Sequence, residues 1–133
     1  MERLSERGVQ ATIHGLSNIP HEEIPIWLNA ADVVLLTSKK DEGSPNIVKE
    51  ALACNRPVVS LDVGDVAERI EGVQGCHVTA EDAIAIADGL FRVYEGPRVV
   101  NARKRIEGLS LEHVAEQVVE VYQIAQEGFA KQD

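Results

Sequence analysis

Two short runs of β-branched and leucine side chains set the tightest limit on this chain: "DVVLLTS" from Asp32 and "PVVSL" from Pro57. Neither alternates polar with apolar residues. Such runs belong to strands covered on both faces, which in practice means a parallel sheet with helices against it. The stretch between them supplies one helix, with Ile47, Val48, Ala51 and Leu52 on a broad apolar face. Ser44 is placed to cap it and Pro45 to occupy its first position, where a missing N–H costs nothing. Asn55 should end it, because asparagine tolerates the left-handed backbone of helix ends.

The same alternation continues on both sides. "GVQATIH", Gly8 to His14, reads as a short strand that ends at Gly15. "NIPHEEIPIWLNAAD" carries Asn18 as a cap and Ile24, Trp27, Leu28 and Ala31 at helical spacing, an amphipathic helix. After Leu61 come the turn "DVGD", a short helix "VAERI" and a weaker strand in "GCHVT". A helix from Ala80 to Tyr94 should gather Ile84, Ala87, Leu90 and Phe91 and break at Gly96-Pro97, followed by a further helical stretch. Ser110 opens the last helix, whose Leu111, Val114, Val118, Tyr122 and Ala125 form a stripe expected to pack on the core. The expected architecture is α/β: a Rossmann-like parallel sheet of about four strands flanked by helices, with right-handed crossovers, in a single unit spanning residues 1–133.

Composition removes several function classes. A chain of 133 residues, 44% hydrophobic, can bury a core without a disulfide framework or a structural metal. A formal charge of −9 opposes phosphate-backbone polymers, so nucleic acid is not an expected partner. No apolar run is long enough to span a bilayer and no signal pattern opens the chain. Cys54 and Cys76 follow no metal-ligand spacing, and a reducing cytoplasm is the expected setting. "HEEIP" at His21 has Pro25 where a zinc-protease helix needs its second histidine, so His21 reads as a surface residue. His14, His77 and His113 show no ligand spacing, and the serine-hydrolase elbow and phosphate-loop patterns are absent. No metal site and no cofactor are expected.

The loop "SKKDEGSPN" lies where a parallel sheet places ligands, beyond the carboxyl end of a strand. With a helix starting near Pro45, the free amides of Asn46, Ile47 and Val48 point toward the strand end, and the dipole adds about half a positive charge there. That makes a seat for phosphate. Glu42 sits in the loop just above it and Glu50 roughly 9 Å further along the helix. Carboxylates accept hydrogen bonds from vicinal hydroxyls, so this layout suits a diphosphate joined to a ribose on one side and a sugar on the other.

The stretch from His21 to Ile70, "HEEIPIWLNAADVVLLTSKKDEGSPNIVKEALACNRPVVSLDVGDVAERI", resembles the carboxy-terminal, nucleotide-sugar-binding domain of family 4 GT-B glycosyltransferases, the glycosyltransferases group 1 family. Glu42 and Glu50 match its Glu-x7-Glu motif. The frame around them matches too: Ser38 at the strand end, Gly43 after Glu42, Ala51 and Ala53, Pro57-Val58-Val59, and Gly64 with Glu68. At Asp65 the chain departs from a commonly Gly-Gly turn and adds negative charge.

The resemblance implies a retaining, metal-independent transfer of a sugar from a nucleotide-sugar donor. It makes Glu42 the catalytic position facing the donor sugar and Glu50 the ribose ligand. Gly43, Ser44, Asn46 and Ile47 would bind the diphosphate, and Gly15 and Leu16 would lie near the base. It also implies that two strand-helix units, an Arg/Lys pair and a second Rossmann-like domain lie outside this chain. Lys39, Lys40 and Lys49 read as solvated. The isolated chain is then expected to bind the donor weakly and to be inactive alone. Its interrupted sheet should either pair "VQATIH" directly with "DVVLL" or cover the edge in a homodimer. The rival reading is a non-catalytic module that keeps the fold and acts through association.

Overall fold

The computed structural model describes residues 2–39, 42–97 and 100–130. Three parallel strands make the sheet, β1 (Val34–Leu36), β2 (Val58–Leu61) and β3 (His77–Thr79), in the order β1-β2-β3. Val34 pairs with Val58 and Val59 with His77. The α/β Rossmann-like architecture therefore holds, with three strands among the described residues rather than four.

Helices cover both faces. Helix α3 (Asn46–Ala53) joins β1 to β2, and α4 (Val66–Ile70) joins β2 to β3. Their Val48, Ala51, Leu52, Val66 and Ile70 share one buried cluster with Val58 and with Leu28 of α2 (Ile24–Ala30). On the other face lies α5 (Ala83–Glu95), capped by the Asp82 carboxylate, which accepts from the amides of Ile84 and Ala85. It approaches so closely that a Cβ on Gly89 would lie 2.8 Å from Thr79 Cγ2 and 3.1 Å from Val59 Cγ1. Its buried residues are Ala87, Gly89 and Val93, while the expected core residue Ile84 is 53% exposed. The sheet meets α5 at its one glycine, Gly89, and that close approach fixes which face of the helix is turned to the sheet.

Helix α1 (Glu2–Ser5) packs on α5, with Arg7 paired to Asp88 and lying 4.9 Å over the Phe91 ring. The segment expected as a strand, Gly8 to His14, is not one. Val9 is buried and its amide donates to the Leu4 carbonyl at 2.9 Å, while residues 10–18 run exposed without regular structure. A strand needs a neighbour to satisfy its backbone, and this segment does not pair with β1. The outer edge of β1 has no strand beside it among the described residues.

Asn55 ends α3 as expected, at φ 53°. Its side-chain oxygen accepts from the amides of Ala102 at 3.1 Å and Arg103 at 3.0 Å, which ties the segment after α5 to the end of α3. Two 3-10 turns, Arg103–Arg105 and Glu107–Leu109, replace the helical stretch expected there. Helix α6 (Leu111–Ala130) starts at Ser110, whose hydroxyl accepts from the His113 amide at 3.2 Å. Its stripe is not a core stripe: Leu111, Val114, Val118 and Tyr122 are all exposed, Tyr122 by 65%. Among the described residues the helix meets the rest of the chain chiefly at the Glu107–Leu109 turn. Among the described residues no helix is long and apolar enough to cross a membrane. Cys54 and Cys76 are both free and half-buried.

Candidate functional site

Because β1 and β2 are parallel neighbours, the loops leaving their carboxyl ends stand side by side. One runs from Thr37 to Pro45 into α3, the other from Asp62 to Asp65 into α4. Lys40 and Asp41 lie outside the described residues. The two loops touch through backbone: the Asp65 amide donates to the Gly43 carbonyl at 3.0 Å. Gly64 takes φ 52°, and a Cβ there would collide with the carbonyl oxygens of Glu42 and Gly43.

Helix α3 starts one residue later than the sequence suggests. Pro45 is the capping residue, at φ −61° and ψ 119°, and Asn46 is the first helical one. Ser44 does not cap; its hydroxyl donates instead to Asp65 Oδ2 at 2.8 Å. The Val48 amide is taken by the Pro45 carbonyl at 3.2 Å. The amides of Asn46 and Ile47 thus remain as the donors of the first turn without a partner among the described residues.

Glu42 is half-buried in the loop, and Gly43 and Ser44 are exposed beside it. Glu50 lies one turn into α3, about 6 Å beyond Asn46 along the axis. Its carboxylate stands 3.7 Å from His21 Nδ1, with the two side chains 28% and 84% exposed. Glu50 therefore faces the start of the 3-10 turn His21–Glu23 that leads into α2. Gly15 and Leu16 lie on the exposed irregular segment six and five residues before His21, and Leu16 is 47% exposed.

Of the neighbouring lysines, Lys39 is exposed and pairs with Glu81. Lys49 is half-buried on α3, and its charge acts on Asp65. Burial tends to raise the Asp65 carboxyl, but the hydrogen bonds from Ser44 and Arg69, with the charges of Arg69 and Lys49, outweigh it and hold it below the usual carboxylate range. The Arg69 Nε atom donates to Asp65 Oδ2 at 2.8 Å. Among the described residues no group of three or more His, Cys, Asp or Glu side chains is arranged to hold a metal ion.

Two residues of this site were not legible in the sequence. His21 reads as an ordinary surface histidine, and it is exposed, but it sits opposite Glu50. Asp65 reads only as a departure from a glycine pair, yet it binds a loop 21 positions earlier. No local spacing encodes either contact. The Asp65-Arg69 separation, one helical turn, is the only signal that could have been read.

Comparison with known proteins gives the arrangement its family. The chain is 36% identical over 107 residues to an amylovoran biosynthesis glycosyltransferase of Erwinia amylovora, covering 72% of this chain and 26% of that protein. It is 30% identical over 130 residues to an MMP alpha-(1->4)-mannosyltransferase of Mycolicibacterium hassiacum, covering 92% of this chain and 31% of that one. It is 31% identical over 129 residues to a D-inositol 3-phosphate glycosyltransferase of Corynebacterium urealyticum, covering 92% and 30%. The chain thus spans under a third of the length of each of these relatives. No solved structure matches it significantly. The family described as "Glycosyl transferases group 1" matches residues 1–96, across all three strands and the loop between β1 and α3, and the chain belongs to that family.

Proposed function

We propose that residues 1–133 form the donor-binding portion of a retaining glycosyltransferase, which moves a sugar from a nucleoside-diphosphate sugar to an acceptor without a metal. The observation that carries this reading is the start of α3. Two amides of its first turn, Asn46 and Ile47, have no partner among the described residues, and half-buried glutamates lie before and after them.

Each group then has one task. The amides of Asn46 and Ile47, with the backbone of Gly43 and Ser44 beside them, receive the diphosphate, where the helix dipole favours negative charge. Glu50 accepts the paired hydroxyls of the ribose. Glu42 faces the transferred sugar and is the catalytic residue contributed by this chain. Gly15 and Leu16 border the base. Sugar transfer by the relatives whose names state it supports the reaction class. The acceptor and the remaining groups that act on the sugar come from outside this chain, which alone binds the donor and does not transfer it.

Calorimetric titration of the chain with UDP, GDP and ADP tests the proposal. At least one nucleotide should bind saturably with a dissociation constant in the millimolar range or below, and Glu50→Ala should abolish it while the melting temperature holds. Absence of saturable binding to all three contradicts the donor reading and leaves the non-catalytic module.

A further inference from the structure

We infer that Asp65 is a positioning residue for the proposed donor site, holding the Glu42–Ser44 loop against the start of α3. The inference rests on the donor reading above and adds to it a residue that touches no substrate. Four observations converge. The Asp65 amide donates to the Gly43 carbonyl at 3.0 Å. Its carboxylate oxygen Oδ2 accepts from the Ser44 hydroxyl at 2.8 Å. The same oxygen accepts from Arg69 Nε at 2.8 Å, one turn along α4. Gly64 brings its backbone so near the carbonyls of Glu42 and Gly43 that no side chain fits between.

These contacts act in one direction, from α4 onto the loop. Arg69 fixes the carboxylate from the helix side, and the carboxylate and its own amide grip consecutive residues, Ser44 and Gly43. Val66 and Ile70 of α4 are buried in the core, so the gripping element is anchored to the sheet. The loop by contrast is exposed at Gly43 and Ser44 and has no regular structure of its own. Asp65 is not itself a seat for phosphate, because a carboxylate repels one. It sets where the loop stands, and hence where Glu42 stands relative to the amides of Asn46 and Ile47.

The test compares the full chain with Asp65→Ala, Asp65→Asn, Ser44→Ala and the Ser44→Ala/Asp65→Ala pair. It measures affinity for whichever of UDP, GDP and ADP binds, and backbone order parameters of Gly43, Ser44 and Asn46 in the free proteins. Loss of a charge-assisted hydrogen bond should weaken binding about ten-fold in Asp65→Ala and about three-fold in Asp65→Asn, which keeps an acceptor for Ser44. Added to Ser44→Ala, the Asp65→Ala change should cost less than about two-fold, because the two act through one contact. Loop order parameters should drop from about 0.85 to below about 0.6 in Asp65→Ala, while those of β2 stay level. An undiminished penalty in the Ser44→Ala background, tighter binding, or an unaltered loop overturns the inference. If the parent chain binds no nucleotide the donor reading fails, and the order parameters alone decide whether Asp65 holds the loop. Should Asp65→Ala not fold, Asp65→Asn carries the same comparison, with unchanged loop order again overturning it.

Discussion

At Gly64 the backbone is left-handed, at φ 52°, and the missing side chain leaves room for the carbonyls of Glu42 and Gly43. Both facts point the same way for Gly64→Ala, which should destabilise the chain by about 2 kcal/mol from strain and collision together. Urea denaturation checks this; an unshifted midpoint would contradict the contact. Asn55 is the other left-handed turn that matters, and its carboxamide oxygen binds two amides near residue 102. Its role as a helix end was legible from the sequence, since asparagine before Arg56-Pro57 is local chemistry. The carboxamide bonds, 47 and 48 residues away, were not. His77 on β3 adds a pH effect. Burial, and secondarily the charge of Arg92, push its imidazole below the usual pKa. The unfolded chain then binds the proton more readily, so the stability His77 contributes is present above about pH 6.5 and lost as pH falls through its depressed folded value. Denaturation midpoints should decline from pH 7 toward pH 5.5, and His77→Asn should flatten that decline. A slope unchanged in the variant would assign the effect elsewhere.

Among the elements, β1, β2, α3 and α4 were readable because each carries its own signal: unbroken β-branched runs for the strands, helical spacing with a proline start and an asparagine end for α3. Two elements misled for a shared reason. Periodicity states which residues of an element are apolar, but not what lies opposite them. Residues 9–14 have the composition of a strand but pair with no strand among the described residues, and they stay irregular. Helix α6 has an amphipathic stripe, yet Val118 and Tyr122 are exposed by 46% and 65%. The consequence is measurable. Replacing both by serine should shift folding stability by no more than about 0.5 kcal/mol per site, the range of surface changes, whereas core positions would lose about 2–5 kcal/mol each. A large loss in thermal unfolding would restore the core reading of α6.

For the whole molecule, the sheet order determines the site. Parallel β1 and β2 lie side by side, so their exit loops must meet, and the meeting point is Gly43-Ser44 against Gly64-Asp65. On the donor reading a chain of net charge −9 takes an anion there because two amides at the start of α3 act locally and carboxylates beyond about 10 Å are screened at ordinary salt, so the charges the amides must outweigh are the nearby Glu42, Glu50 and Asp65. That balance is the central claim. It is tested most directly by following the amide resonances of the chain as UDP, GDP and ADP are added in turn. The account predicts that the largest shifts fall on Asn46 and Ile47, followed by Gly43, Ser44 and Glu50, and that they saturate. Shifts that are absent for all three nucleotides, or centred away from the start of α3, would contradict it.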